Sequence, residues 1–282
     1  MRLDRFFTVC AVCSRKEAAV LVRQGRVTVD GVPAKRPDCS VDPNAQTVAV
    51  DGIPVIYREF HYIMMNKPAG VVSATERSAD PTVLDLLPEN LQNIGLFPCG
   101  RLDKSTVGFV LLTNDGQRGH RLLSPKHHVT KEYRFRVKYP LSESDITTLC
   151  AGVHLCADST AEEWDTAPCE IRPDADGFGG VITLTEGKYH EIKRMMEAVH
   201  NQITALSRIS FAGIALDPSL APGEWRYLTA EEETLLLSAS DGSYASDGGS
   251  VSGGSSASGG SSASHGSSAS DGSSASGGVS GQ

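Results

Sequence analysis

An α+β chain is predicted, in which a small N-terminal module of helices and short strands precedes a larger mixed, mainly antiparallel sheet flanked by helices. Three observations carry this expectation. Residues 1–58 give helical signals followed by two Val-rich strands that each turn on Asp-Gly. From Tyr57 onward, strand and helix patterns alternate, and the stretch 131–138 sets Tyr133, Phe135 and Val137 against Arg134 and Arg136, the period of a strand with one wet face. Beyond Ser238 the composition collapses to Gly, Ser and Ala, with Gly253-Gly-Ser-Ser-Ala-Ser258 recurring every six residues, which leaves too little apolar surface to offset the entropy of ordering. The expected division is therefore 1–58, 59–237 and a disordered tail, 238–282.

In the first module, Ser14-Arg-Lys-Glu17 is a capping-box pattern, and the helix it opens should run to about Gln24 and stop at Gly25. Val27-Thr-Val-Asp30-Gly31 reads as a strand entering a tight turn, and Val48-Ala-Val-Asp51-Gly52 repeats the device. In the larger segment, strands are expected at 60–65, 107–113, 131–138, 181–185 and 203–210. Helices are expected at 82–87, 117–123, 142–151, 190–199 and 230–237.

At 282 residues and 40% hydrophobic content the chain can build a substantial core. It has no uninterrupted apolar run of about 18 residues, and Asp4 and Arg5 interrupt any signal-peptide core, so a soluble cytoplasmic protein is expected. Seven scattered cysteines include the single C-x-x-C of Cys10 and Cys13, for which helix packing with reduced thiols is the expected reading. Adjacent His127 and His128 point apart in a loop and give no ligand set, so no metal is expected. The net charge of −8 argues against a general nucleic-acid binder, but residues 1–36 hold eight basic against three acidic side chains, an excess of five at one end.

The most informative stretch is Gly100-Arg-Leu-Asp103-Lys-Ser-Thr-Val-Gly-Phe-Val-Leu-Leu-Thr-Asn-Asp-Gly116. A charged loop with one Asp runs into an apolar strand that ends in an Asn-Asp-Gly turn, and so a carboxylate stands at the mouth of a buried element beside a cleft. Alone, this suits a turn-forming or helix-capping carboxylate better. Three further segments occur with it in order: Tyr62-Ile-Met-Met-Asn-Lys-Pro-Ala-Gly70, Ser124-Pro-Lys-His-His-Val-Thr-Lys-Glu-Tyr133 and Glu186-Gly-Lys-Tyr-His-Glu-Ile-Lys-Arg-Met195. Together they resemble the pseudouridine synthases, and within them the RsuA family, which acts on ribosomal RNA and whose type member modifies the small subunit. Arg2-Leu-Asp-Arg-Phe-Phe, Ser14-Arg-Lys-Glu-Ala and Gly25-Arg-Val-Thr-Val-Asp-Gly31 resemble the S4-type RNA-binding module. The resemblance covers residues 1 to about 236.

That resemblance implies an isomerase that needs no cofactor, since the base is cut from its ribose, turned and rejoined through carbon without redox change. It implies Asp103 as the catalytic carboxylate, Tyr133 as the aromatic against which an extruded uridine is held, and Lys193 as the basic partner of Asp103. Arg101, His190 and Arg194 are candidate substrate contacts. By spacing, His190, Lys193, Arg194 and Glu197 share one helix face, while Ile192, Met195, Met196 and Val199 pack the other. Arg2, Arg5, Arg15, Lys16, Arg23, Arg26 and Lys35 are candidate RNA contacts of the first module, forming a shallow positive surface for phosphates. The implied partner is ribosomal RNA or a small-subunit assembly intermediate, the implied target uridine 516 of 16S rRNA, and the expected state a monomer. A target in large-subunit (23S) rRNA and a non-catalytic assembly factor are the alternatives; intact Asp103, Tyr133 and Lys193 argue against the latter.

Overall fold

Helices starting at Arg15, Gly116, Glu143 and Ala230 open where the side chain of the preceding residue accepts from an amide of the first turn. The computed structural model describes residues 1–76, 79–157 and 162–241, all within one compact unit. The tail expected to be disordered lies outside the described residues from 242 onward.

In the first module, helices Leu3–Val9 and Arg15–Arg23 precede a four-stranded sheet built from Val27–Val29, Val32–Pro33, Val48–Val50 and Ile53–Pro54. The capping box forms as expected: the Ser14 hydroxyl accepts from the Glu17 amide and the Glu17 carboxylate accepts from the Ser14 amide. A cap of this kind contributes about 1 kcal/mol. Both Asp-Gly turns place two residues in the left-handed region, with φ of 52° and 78° at Asp30 and Gly31 and 52° and 79° at Asp51 and Gly52, the geometry that matches strand twist in a two-residue hairpin. Leu3, Phe6, Phe7, Ala18, Val22 and Val27 fill the small core. Cys10 and Cys13 pack at its edge, and burial pushes both thiols up, that of Cys13 to about 11, so both stay protonated and unreactive.

A buried histidine joins this module to the next. His61 is fully buried; Val9 O lies 2.7 Å from its Nε2 and the Tyr227 hydroxyl 3.0 Å from its Nδ1. Asn90 donates to Ala11 O (2.5 Å), and the Arg58 guanidinium lies 4.7 Å from the Tyr227 ring centroid while reaching Glu233.

The larger sheet runs in the order Glu170–Pro173, Gly179–Leu184, Lys131–Val137, Ile203–Phe211, Val107–Thr113, Tyr62–Lys67, Trp225–Tyr227. Every pairing in it is antiparallel except the central one, between Ile203–Phe211 and Val107–Thr113, so the sheet is mixed and mainly antiparallel. The alternation in Lys131–Val137 is realised: Tyr133, Phe135 and Val137 are buried, Arg134 and Arg136 exposed. Register aligns one transverse row through Ile182, Tyr133, Arg208, Gly108 and Lys67.

Three element expectations change. Residues 82–87 form consecutive turns rather than a helix, with Asp85 N bonded to Thr82 O and Leu87 N to Leu84 O; Pro88 disfavours helical backbone at Leu87, and a short helix begins only at Glu89–Gln92. The Asn-Asp-Gly turn is a helix start, because the Asp115 carboxylate caps Gly116–Leu123 at the Arg118 amide while accepting from the Tyr62 hydroxyl at 2.7 Å. The last helix is Ala230–Ser240 and not 230–237. Ala239 and Ser240 are buried, and Ser240 Oγ accepts from Arg118 at 2.7 Å, which extends order into the Ser-rich composition.

Gly108 permits the central parallel pairing. Its φ is +97°, and a β-carbon there would sit 2.3 Å from Arg208 O. Gly108→Ala is therefore expected to cost at least about 2 kcal/mol of unfolding free energy, whereas Gly25→Ala, with φ +72° but open space around it, should cost only about 1 kcal/mol. Urea unfolding of the two variants checks the ranking; equal losses would show that steric clash at Gly108 is not what selects glycine.

Candidate active site

The loop that carries Asp103 is fixed from below by a buried amine. Lys67, at the end of its strand, is fully buried, and its Nζ donates to Thr106 O (2.8 Å), Pro68 O (3.0 Å) and Lys104 O (3.4 Å). The loop also bonds itself and its surroundings: Thr106 N to Asp103 O at 3.1 Å, Gly70 N to Lys104 O at 2.8 Å, and Leu102 N to Ser73 Oγ at 3.2 Å. Burying an unpaired ammonium costs several kcal/mol, and desolvation pushes Lys67 down to about 8, against the opposing attraction of Asp103.

Above this clamp the Asp103 carboxylate is half-buried and holds two partners. Lys193 Nζ lies 2.5 Å from Oδ2, and His190 Nε2 lies 3.3 Å from Oδ1. Lys193 also approaches Ser105 Oγ at 3.4 Å. Both partners come from the start of helix Glu191–Ala198, where Lys193 is in the first turn and His190 is the cap residue, at φ 50°. Tyr189 stacks on the His190 ring with centroids 3.8 Å apart and is itself exposed. Asp103, Arg101, Tyr133, His190 and Lys193 line one depression; a wider cleft of about 710 Å³ continues from Arg101 and Asp103 past Lys104, Lys188 and Tyr189. Tyr133 enters from strand Lys131–Val137, which is separated from Val107–Thr113 by Ile203–Phe211, and is 8% exposed.

The structure thus brings Asp103, Lys193, Tyr133, Arg101 and His190 to one place. It does not bring Arg194 there. Arg194 is 8% exposed, packs its guanidinium 4.2 Å from the Trp164 ring centroid and donates to Cys156 O. Its face of the helix is therefore the buried one, with Ile192, Met195 and Met196, and Arg194 braces the helix rather than meeting substrate. His190 departs too, since it precedes the helix and turns onto Asp103 instead of extending the polar stripe. Among the first-module cations, Arg2 pairs with Asp4 (2.8 Å) and Arg26 with Asp51 (2.5 Å), while Arg5, Arg15, Lys16, Arg23 and Lys35 are exposed.

Residue-by-residue reading missed Lys67 and Arg208. Lys67 lies within Asn66-Lys67-Pro68, a segment noticed for its order along the chain and not for a buried amine. Arg208 is 1% exposed, donates from Nε to Phe109 O at 2.6 Å and lies 5.0 Å from the Phe211 ring centroid. Its strand alternation gave no sign of this, because a polar residue there reads as solvent-facing.

An ionised carboxylate held by a lysine, beside a mostly buried tyrosine and an exposed arginine, suits a reaction in which positive charge develops on a sugar. Comparison with known proteins supplies the class of enzyme in which this site is found. A model of the RNA pseudouridylate synthase family matches residues 61–198, and one of the S4 domain matches residues 1–46. An uncharacterized RNA pseudouridine synthase of Bacillus subtilis (strain 168), YtzG, is 49% identical, over 84% of this chain and 98% of its own. The ribosomal small subunit pseudouridine synthase A of Escherichia coli (strain K12) is 38% identical, over 82% of this chain and 98% of its own. A crystal structure of a pseudouridylate synthase superposes with a TM-score of 0.58 at 32% identity, covering 84% of this chain and 99% of that one. The chain belongs to the RsuA-like RNA pseudouridine synthases, enzymes that isomerise uridine in RNA.

Two outcomes are expected at this site. Asp103→Asn keeps the shape and loses the charge, so single-turnover isomerisation should fall by at least roughly 10³-fold with folding unchanged; retention of a tenth of the wild-type rate would remove Asp103 from the chemistry. Lys67 gives a stability signature. Between about 8 and the ordinary lysine value of 10.5 the unfolded chain binds a proton that the folded chain has released, so this site's contribution to stability rises with pH across that window. Urea unfolding should show wild type gaining on Lys67→Met from pH about 8 upward; parallel curves would contradict the lowered value.

Proposed function

We propose that this enzyme converts one uridine of small-subunit ribosomal RNA to pseudouridine, with uridine 516 of 16S rRNA as the position its resemblance implies. The observation that carries the chemical part is Asp103, fixed from below by Lys67 and paired above with Lys193 and His190 at the bottom of an open cleft. The small-subunit target is supported by the names of relatives such as the Escherichia coli enzyme, matched over 98% of its length.

In this reading the RNA strand lies along the cleft past Arg101, Lys104 and Lys188, and the target nucleotide is extruded so that its base rests against Tyr133. As the bond from uracil nitrogen to ribose breaks, Asp103 stabilises the developing positive charge or attacks the sugar. Lys193 fixes the direction of the carboxylate, since a misaim of about 1 Å costs roughly 10²-fold. The Tyr133 hydroxyl supplies a group able to move a proton when the base rejoins through carbon. The exposed cations Arg5, Arg15, Lys16, Arg23 and Lys35 hold neighbouring phosphates from the first module. The protein acts as a soluble monomer on RNA or on an assembling small subunit; among the described residues no helix is long and apolar enough to cross a membrane.

Pseudouridine mapping across all ribosomal RNA, from cells with and without the gene, is the test. Loss of one modified uridine in 16S rRNA, restored by wild type and not by Asp103→Asn, is the expected result. Loss in 23S rRNA would reassign the target to the large subunit, and an unchanged map would remove ribosomal RNA as substrate.

A further inference from the structure

We propose that Glu186 and Glu191 form a carboxylic acid–carboxylate pair, with the proton on Glu191, that positions the turn bearing Tyr189 and His190 against Asp103. The inference rests on the reading of Asp103 as the reacting carboxylate. Glu191 opens helix Glu191–Ala198 and is 4% exposed. Its Oε2 accepts from Lys188 N at 2.8 Å, while Lys188 O lies 3.4 Å from Glu191 N, so the two ends of a four-residue turn are tied together. Tyr189 and His190 are the residues inside that turn, and the left-handed backbone of His190 depends on its closure.

The other oxygen of Glu191 is the anomaly. Among the described residues Oε1 is fully buried and meets no N–H or O–H donor; the Glu186 carboxyl lies against Glu191, and its own oxygens are occupied by Ala167 N at 2.6 Å and Lys188 Nζ at 3.2 Å. A buried carboxyl against a second, partly buried one disfavours ionisation of both together. With donors already holding Glu186 as the anion, a proton on Glu191 turns an acceptor–acceptor clash into a hydrogen bond.

The surrounding charges do not reverse this. Lys131 faces Glu191 from the adjacent strand and would favour its ionised form, but the amine is 7% exposed, donates to Val129 O at 2.8 Å, and is pushed down to about 8 by burial and then by Arg208 behind it. Cys169, the remaining titratable neighbour, is pushed up to about 12 by burial and stays neutral. The helix N-terminus favours an anion by no more than about 2 kcal/mol. Burial, followed by Glu186, pushes Glu191 well above the usual carboxylate range, while against its own burial Glu186 is held below that range by Glu191, Ala167 N and Lys188. At higher pH the proton leaves to solvent, the two anions repel, the Lys188–Glu191 turn opens, and His190 loses its place on Asp103.

The test uses the full chain and in-vitro transcribed small-subunit RNA. Glu191→Gln offers an amide N–H to Glu186 and an amide oxygen to Lys188 N, with no proton to lose. Its single-turnover rate at pH 7 should stay within about twofold of wild type, and the alkaline fall in rate should move up by at least about one pH unit. Infrared difference spectra of wild type should show a protonated-carboxyl carbonyl band that bleaches with the same midpoint and is absent from Glu191→Gln. Glu186→Gln, which lets Glu191 ionise, should lose that band at pH 7. Absence of the band in wild type, or an unshifted alkaline midpoint in Glu191→Gln, overturns the proposal. The infrared result stands whether or not the RNA is turned over, so it separates failure of the pair from failure of the reading of Asp103.

Discussion

A buried lysine amine with three carbonyl oxygens around it and, among the described residues, no carboxylate within bonding distance is the interaction on which the site depends. Lys67 reaches Thr106 O, Pro68 O and Lys104 O from the end of its strand. Those carbonyls belong to the two chain segments that must lie side by side for Asp103 to face the cleft. Lys104 O is also held by Gly70 N; a buried acceptor left without its donor costs about 1–3 kcal/mol. One amine therefore satisfies several acceptors and fixes the loop, at the expense of its own desolvation. The Asp103–Lys193 pair above is more exposed and cannot hold the loop alone, because solvent screening leaves such pairs about 0–1 kcal/mol of net stability. Lys193 and His190 set the direction of the carboxylate; Lys67 sets the position of its backbone.

The central parallel pairing supplies the rest of the geometry. Val107–Thr113 and Ile203–Phe211 approach at Gly108 and Arg208, where no β-carbon fits. Tyr133 pairs with Arg208 from the other side, and Lys67 pairs with Gly108. Tyr133, the parallel contact and the amine under the Asp103 loop thus lie along one row of the sheet, so a slip in register would displace all three together. The helix Glu191–Ala198 closes over this row. Arg194 is used up in holding it down, on Trp164 and Cys156 O.

Local signals were legible wherever they suffice to decide a structure. Ser14 with Glu17 announced a helix start, Asp30-Gly31 and Asp51-Gly52 announced tight turns, and strand 107–113 was read at its observed bounds. Four ordered motifs made the family and the cluster of Asp103, Tyr133 and Lys193 readable before any coordinate. What escaped depends on partners distant in the chain. Arg194 looks like part of a polar stripe until Trp164, thirty residues earlier, is folded over it. His190 looks helical until its turn is seen to close through Glu191. Residues 82–87 read as a helix, but Pro88 disfavours helical backbone at Leu87 and the Asp85 amide turns back onto Thr82 O and Oγ. Lys67 and Arg208 are cations that composition places at the surface, and only tertiary acceptors draw them inside.

The central claim is that a buried amine preorganises the reacting carboxylate, and hydrogen exchange combined with single-turnover kinetics on Lys67→Met tests it most directly. The amides of Thr106 and Gly70, bonded to Asp103 O and Lys104 O, report whether the loop is held. The account predicts that both lose protection and that uridine conversion slows by at least roughly tenfold, while amides of strand Lys131–Val137 exchange as in wild type. Unchanged protection at Thr106 and Gly70 together with an unchanged rate would show that the loop holds Asp103 without Lys67, and would contradict the account.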